Sequence, residues 1–209
     1  MDQPRRRAAI ALTGIGLGAA LLLAGVDRLT RERIEDAQQR RALSTLSAML
    51  PTGRFDNDLL DDAIDLPIPG LEQPGRLYRA RRDGEPVGLL VDLVTHRGYS
   101  GDIRLLVAVN PDQTVLAVRV LEHRETPGLG DKIEIERSDW ITGFAGRSLG
   151  DPPAQRWAPD QRGGDFDTLT SATITTDAVV DAVRSALVAL AQADEEQLWG
   201  AAQTPFATP

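Results

Sequence analysis

A run of hydroxyl-bearing and small residues, DTLTSATITT over residues 167–176, stands where a loop meets the start of a predicted C-terminal helix. The backbone N–H groups of the first turn of a helix have no partner within the helix, and the helix dipole favours an anion beside them. A phosphate group would therefore fit at residues 173–176. Ser171 and Ala172 are small enough to let it approach the backbone. On these grounds alone, a plain Ser/Thr cap without a ligand is the more economical interpretation.

Two further loops contain glycine next to residues that could contact a ligand. In HRETPGLGDK, residues 123–132, Pro127 and Gly128 suit the two central positions of a type II turn, and Lys132 is the only lysine of the chain. The other loop is HRGYSG, residues 96–101. Glycines leave the backbone open to a flat ligand, although a tight connector and a turn with one packed aromatic explain these loops without a ligand.

Composition excludes several classes of function. The chain has no cysteine, which excludes disulfides, iron–sulfur clusters and thiol catalysis carried by its own residues. Its two histidines, His96 and His123, are too few and too isolated to predict a metal site. The formal net charge of −8 argues against binding to nucleic acid, which needs a basic surface.

The remaining pattern predicts the elements that position these loops. Four runs rich in Val, Leu and Ile predict strands joined by short connections, which favour antiparallel hairpins. They cover residues 76–81, 86–95, 103–110 and 114–123. Apolar residues at helical spacing from Thr173 onward predict an amphipathic helix, residues 138–144 suit a short helix, and residues 52–75 are expected to be irregular. The predicted fold class is α+β, with a mostly antiparallel sheet and a C-terminal helix.

The N-terminal region predicts a membrane anchor. Residues 8–26 contain no charged side chain, and a helix of that length spans about 28 Å, close to the thickness of the hydrocarbon core. We expect a transmembrane helix over residues 8–28 and a helical stalk over residues 29–50. A cleaved signal peptide is the less favoured alternative, because no convincing cleavage site follows. Arginines on both sides of the span leave its orientation undecided by charge.

The order of residues 167–173, Asp-x-x-Thr-Ser-Ala-Thr, resembles the flavinylation motif of the FMN-binding domain family, Asp-x-x-(Ser/Thr)-Gly-Ala-(Ser/Thr). In that family the last residue is esterified to the phosphate of FMN, which implies a covalent FMN on Thr173. The resemblance also implies contacts from neighbouring residues of the motif and of the helix start. These are Asp167, Thr170, Ser171, Ala172 and Thr176. Ser171 departs from the usual glycine, and serine costs energy there if the position requires a positive φ.

The two glycine loops are similar to segments of the same family. ETPGLG at residues 125–130 and GYSG at residues 98–101 occur in the order that the family shows. The resemblance implies that residues of these loops border the isoalloxazine ring or the ribityl chain. They are Tyr99, Ser100, Glu125, Thr126, Leu129 and Lys132.

The family includes the G subunit of Rnf-type ion-translocating electron transport complexes, whose length the chain approaches. The resemblance therefore implies electron relay through FMN in a complex that couples electron transfer of the ferredoxin/NAD type to ion translocation. It implies three partners: integral membrane subunits, iron–sulfur subunits and a separate flavin transferase. We expect the bacterial inner membrane as the location, with residues 1–7 in the cytoplasm, residues 51–200 forming a periplasmic FMN-binding domain and residues 201–209 a flexible tail.

Three alternatives stay open at the level of sequence. The chain could be the C subunit of a sodium-pumping NADH:quinone reductase, although that protein is usually longer. It could be a free-standing extracytoplasmic flavoprotein, or a structural subunit that bears no flavin, for which Ser171 is the supporting feature. No residue of the chain is assigned a catalytic role, since its part is to hold and tune a cofactor.

Overall fold

The computed structural model describes residues 53–200, together with Met49, Leu50 and the isolated positions Thr13 and Gly16. The described residues contain a five-stranded sheet in which each strand pairs antiparallel with the next along the chain. The strands are β1 (Ala63–Leu66), β2 (Gly75–Arg82), β3 (Glu85–Thr95), β4 (Ile103–Val109) and β5 (Val115–Glu122). The short connections of this meander follow from turn residues such as Asp83-Gly84, which both adopt a positive φ.

The antiparallel sheet and the C-terminal helix confirm the predicted α+β fold for the described residues. The four predicted strands correspond to β2 through β5, with each end displaced by no more than one residue. The expectation that all of residues 52–75 are irregular is wrong, because β1 forms there. Its four residues pair with β2 from Ala63 opposite Tyr78 to Leu66 opposite Gly75. A strand this short is specified by its pairing partner rather than by its own pattern.

The long helix α1 (Thr173–Gln192) packs across the middle of the sheet against β3 and β4. Alternate strand residues face it, because side chains one residue apart in a strand point to opposite faces. Val91 pairs with Val107 and Leu93 with Leu105 on this face, and all four are buried. From the helix, Val179, Val183, Ala186, Leu187 and Leu190 complete this core. Each buried Val or Leu stabilises the fold by about 1.5–3 kcal/mol, which fixes the helix and its first turn on the sheet.

The connection from β5 to α1 contains four short 3-10 helices. They are Gly130–Ile133, Trp140–Phe144, Ala154–Arg156 and Asp160–Arg162. The second of them corresponds to the short helix predicted over residues 138–144. Its Phe144 stacks on Phe166 with ring centroids 4.8 Å apart, and Trp157 lies at the same distance from Phe166. This aromatic cluster holds the connection against the core and brings residues 160–172 to the start of α1.

A second short helix, α2 (Glu195–Trp199), follows α1. In the part of the chain that the structure describes, no helix combines the length and the apolar composition needed to cross a membrane. The predicted cytoplasmic N-terminus, transmembrane helix, stalk and tail lie outside the described residues, apart from Thr13, Gly16, Met49 and Leu50.

Candidate functional site

A cavity of about 600 Å³ lies at the start of α1, within the range of about 300–1,000 Å³ that small-molecule sites occupy. Three segments that are distant in sequence form its wall: the loop after β3, the loop after β5 and the first turn of α1 with the two residues before it. The lining residues are Tyr99, Glu125, Thr126, Leu129, Gly130, Ser171, Ala172, Thr173, Ile174 and Thr175. The fold therefore brings the three segments singled out in the sequence to one cavity.

Thr173 is the first residue of α1 and is half-buried on the cavity wall. No side chain caps this helix start, and the first backbone hydrogen bond of the helix runs from Thr176 N–H to the Ala172 carbonyl at 2.9 Å. The N–H groups of the turn before Thr176 thus lack a helical partner, and the helix dipole adds partial positive charge beside them. The Thr173 hydroxyl contacts the Gln161 amide oxygen at a long 3.4 Å. This end of the cavity suits an anion.

The other hydroxyls of the segment are either used within the protein or lie elsewhere. Thr176 is fully buried; its Oγ1 donates to the Ala172 carbonyl at 3.0 Å and accepts the Leu169 N–H at 3.2 Å. Thr175 is buried, and its hydroxyl donates to Glu125. Thr170 is exposed and is absent from the cavity wall. Among the described threonines of this segment, Thr173 is therefore the one that is both accessible and at the cavity.

Ser171 adopts φ +69°, a left-handed conformation that costs a residue with a Cβ atom about 1–2 kcal/mol. The structure thus places the residue that departs from the usual glycine in the conformation that favours glycine. The turn it forms leads directly into Ala172 and Thr173, so that the strained residue sets the direction from which the chain enters the helix.

Glu125 joins the three segments of the wall. The carboxylate is buried, and it accepts the Ser100 N–H on Oε1 at 3.0 Å and the Thr175 hydroxyl on Oε2 at 2.5 Å. Its own backbone N–H donates to His123 Nδ1 at 3.0 Å. His123 is therefore part of the support of this loop.

The rim of the cavity is apolar. Tyr99, Leu129 and Ile174 are exposed by 69%, 43% and 52%, and they are three of the four large apolar side chains that the described residues leave exposed. Apolar side chains that gather at one opening are typical of a ligand site rather than of an ordinary surface. The cavity thus combines an anion-compatible end at Thr173 with a hydrophobic rim.

Five of the predicted site residues are absent from the cavity wall, and exposed Thr170 is one of them. Ser100 and Thr176 act by holding Glu125 and the turn before α1. The Asp167 side chain is exposed, and its carbonyl accepts the Trp140 indole N–H at 2.7 Å. Lys132 is half-buried, and its carbonyl accepts the Ser138 hydroxyl at 2.8 Å. Roles for Asp167 and Lys132 at a bound cofactor stay predictions.

Three lining residues were not singled out by type and spacing: Gly130, Ile174 and Thr175. Ile174 could have been recognised from the sequence, because an apolar side chain on the solvent side of the first helical turn indicates contact with a ligand or another protein segment. Gly130 lay within the ETPGLG segment but carries no side chain. Thr175 could not be found by spacing, because its role depends on Glu125, 50 residues earlier.

A hydrogen-bonded turn holds the loop beside Thr173 in place. Asp160 Oδ1 accepts the Thr168 hydroxyl at 2.5 Å and the backbone N–H groups of Thr168 and Gln161 at 3.1 and 2.7 Å. These bonds stabilise the ionised form, so that the pKa of the Asp160 carboxyl is lowered, chiefly by the Thr168 hydroxyl. Nearby, Arg162 pairs with Asp177 of α1 at 2.7 Å. Gln161 is thereby kept beside Thr173.

Comparison with known proteins gives two family matches and a set of relatives. The FMN-binding domain model matches residues 98–188, a range that contains every lining residue of the cavity, and the RnfG N-terminal region matches residues 1–49. Three relatives bear the name of the G subunit of the ion-translocating oxidoreductase complex. The protein of Pseudomonas aeruginosa is 43% identical over 85% of this chain and 82% of its own length. That of Shewanella loihica is 41% identical over 83% and 84%, and that of Escherichia coli 40% over 87% and 88%.

Proposed function

The chain belongs to the family of G subunits of the ion-translocating oxidoreductase complex, and from this premise we propose that it relays electrons through an FMN attached by a phosphoester to Thr173. Its function as the flavin-carrying subunit of such a complex follows from the family. One observation carries the finer proposal of the attachment site: Thr173 is the accessible threonine of its segment that lines the cavity at the start of α1.

The residues of the cavity fit the two ends of FMN. The unpaired N–H groups at the start of α1 suit a phosphate esterified to Thr173, and Ala172 carries only a methyl group that leaves the backbone approachable. The apolar rim of Tyr99, Leu129 and Ile174 suits the flat isoalloxazine ring. When bound, FMN supplies the ability to accept and donate electrons. The role of this chain is to position the isoalloxazine ring and to keep it close to its redox partners through a covalent tether.

Attachment requires a second protein. No histidine lies near Thr173 in the sequence to activate its hydroxyl, and a threonine without an adjacent base is a poor nucleophile. A separate flavin transferase would take FAD as the donor. The Thr173 oxygen would attack the phosphorus on the FMN side of the pyrophosphate, AMP would leave, and a base of the transferase would accept the hydroxyl proton. One phosphoester forms and one phosphoanhydride bond breaks.

The other partners and the location complete the proposal. The relatives are named as parts of a complex, and on that basis integral membrane and iron–sulfur subunits would surround this chain. Residues 8–28 would span the bacterial inner membrane once, and residues 51–200 would face the periplasm. Because the chain has no cysteine, covalent FMN would be its redox group, and any iron–sulfur cluster of the complex would be bound by other subunits.

The test is the mass and the fluorescence of the full chain. We expect the wild type, produced in cells with a flavin transferase, to show in-gel flavin fluorescence after denaturation and an intact mass increased by one FMN moiety. Thr173→Ala should lose both completely, because no other described threonine of the segment combines accessibility with a place on the cavity wall. Thr142→Ala is the control, since Thr142 is an exposed threonine outside the motif and absent from the cavity wall, and it should keep the flavin.

The same experiment decides between the proposal and its alternatives. An unmodified wild type would favour a structural subunit without flavin, which the strained Ser171 would explain. A flavinylated chain that purifies without integral membrane subunits would favour a free-standing flavoprotein. The relatives from Pseudomonas, Shewanella and Escherichia all carry the name of the G subunit, which favours that assignment over the C subunit of a quinone reductase.

A further inference from the structure

Glu125 is an acidic residue in the wall of the cavity whose exposed fraction is only 5%. Its two oxygens accept one backbone N–H, from Ser100, and one hydroxyl, from Thr175. Hydrogen bonds on both oxygens leave the side chain little rotational freedom. The carboxylate is therefore held at one position relative to the start of α1.

Two glycines leave room for this carboxylate. A Cβ atom added at Gly98 would lie 2.8 Å from Glu125 Oε1, and one added at Gly130 would lie 2.8 Å from Oε2. Real Cβ atoms do not approach an oxygen so closely, so that a side chain at either position would displace the carboxylate or its loop. The placement of Glu125 thus requires glycine at residue 130, whereas at residue 98 the Gly101 carbonyl, 2.3 Å from an added Cβ atom, is a still closer obstacle.

The negative charge of Glu125 has no cationic partner among the described residues. Within residues 53–200, no arginine or lysine forms an ion pair with it. His123 contacts only its backbone, because Nδ1 accepts the Glu125 N–H while Nε2 faces Glu134 at 2.6 Å. A buried carboxylate with neutral donors alone is costly, and such groups persist chiefly where function requires them.

Resting on the proposed function, we propose that Glu125 is a positioning residue whose unpaired carboxylate lowers the reduction potential of the FMN held in the cavity. Reduction adds electron density to the flavin, and a fixed negative charge in the cavity wall opposes that addition. Exclusion of water from the wall strengthens this effect. The hydrogen bonds from Ser100 and Thr175 keep the charge in place without neutralising it.

The experiment measures the midpoint potential by spectroelectrochemistry on the full-length chain, loaded with FMN by a flavin transferase and checked by intact mass. Glu125→Gln keeps the size of the side chain, accepts the Ser100 N–H and hydrogen-bonds Thr175, but removes the charge. We expect its potential to rise above that of the wild type. Glu125→Asp keeps the charge, and its potential should stay closer to the wild type than to Glu125→Gln.

Asp131→Asn is the matched control. Asp131 is a buried carboxylate of the same segment that accepts the Gly128 N–H at 2.8 Å, but it is absent from the cavity wall and has the Arg137 guanidinium 3.7 Å away. This variant should lose stability and leave the potential unchanged. A thermal unfolding curve of each loaded variant separates a lost fold from a shifted potential.

Three results decide the role of Glu125. A loaded Glu125→Gln chain with the potential of the wild type overturns it, and so does an equal shift in Asp131→Asn. If neither Glu125 variant folds, Thr175→Val keeps the shape of its buried helix position and removes one donor from the carboxylate. We expect its potential to fall below that of the wild type, because the charge stays and loses a dipole that partly screens it. An unchanged or raised potential in that variant overturns the role as well. A wild type without attached FMN contradicts the proposed function, whereas loaded chains of equal potential contradict the role of Glu125 alone.

Discussion

Two buried carboxylates, Asp62 and Glu125, have opposite electrostatic surroundings. Asp62, next to the edge strand β1, is 4% exposed, and its carboxylate accepts hydrogen bonds from Arg79 Nε at 2.6 Å and from Arg81 Nε at 2.7 Å. The two arginines also donate to the Gly200 carbonyl, and this cluster ties the residues after α2 to β2. Glu125, at the cavity, is equally buried but receives only neutral donors from the described residues.

Asp62 therefore stabilises the fold through its ion pairs, whereas Glu125 is an unpaired charge that the fold keeps at a fixed position. Breaking a buried ion pair leaves an uncompensated charge, so that Asp62 is expected to be essential for stability. Removing an unpaired buried charge takes away a cost, so that Glu125 is expected to lower stability in its ionised form. The same chemical change, carboxylate to amide, should therefore act in opposite directions in the two regions.

The largest effect is expected for Asp62→Asn. The amide cannot neutralise Arg79, whose side chain is only 3% exposed in this pair, and the free energy of unfolding should fall by about 3–5 kcal/mol. Guanidinium unfolding of the full chain, followed by tryptophan fluorescence, measures the change. Asp65→Asn is the control, because its pair with Arg76 is exposed and should contribute less than about 1 kcal/mol. Equal losses in both variants would contradict the assignment of the stabilising charge to Asp62.

Glu125→Gln should increase stability, in contrast to Asp62→Asn. We expect the free energy of unfolding of the flavin-free chain to increase by about 1 kcal/mol, because the amide keeps both hydrogen bonds and avoids the cost of a buried charge. The same unfolding experiment measures it at neutral pH. A loss as large as that of Asp62→Asn would show that Glu125 has a compensating partner, and the comparison of the two regions would fail.

The two regions also differ in how much of them the sequence predicts. The sheet and α1 follow from local patterns, because Val, Leu and Ile alternate along strands and recur at helical spacing. Local motifs likewise mark the loops of the cavity. The partners of Glu125 are not predictable in this way, since Ser100 and Thr175 are 25 residues before and 50 residues after it, and only the folded chain brings them together.

The Asp62 cluster shows the same limit more strongly. Asp62 lies in the segment expected to be irregular, and nothing in its neighbourhood distinguishes it from the other aspartates there. Its burial depends on β1, which exists only through pairing with β2, and on Arg79 and Arg81 of that strand. Strand pairing between segments and the burial of charge are properties of tertiary structure, which a single sequence pattern does not encode.

Ser171→Gly tests whether the cavity region contains a second source of strain. Among the described residues other than glycine, Asp83, Gln113 and Ser171 have a positive φ, and the first two lie in hairpin turns whose geometry calls for it. At Ser171, glycine should raise the free energy of unfolding by about 0.5–1 kcal/mol, because relief of the left-handed strain exceeds the entropic cost of glycine. Thr170→Gly is the control and should destabilise. A stability loss in Ser171→Gly would show that the serine is not strained.

The smallest expected effect is a pH dependence beside Thr173. The hydrogen bond from Thr168 lowers the pKa of Asp160, so that the unfolded chain binds more protons than the folded chain at a pH between the lowered pKa and the ordinary value of 3.8. This contribution to stability is fully present above that ordinary value and is lost as the pH falls through the folded pKa. Thr168→Val should raise the pKa of Asp160, measured by NMR titration of its carboxyl carbon, and should flatten the acid side of the stability curve. Thr170→Val, two residues further along the same loop, should leave the pKa of Asp160 and the stability curve unchanged. An equal shift in that variant would mean that Thr168 does not stabilise the ionised Asp160 carboxyl. The loop beside the cavity would then lack a carboxylate held by its neighbours, such as Asp62 at the edge of the sheet.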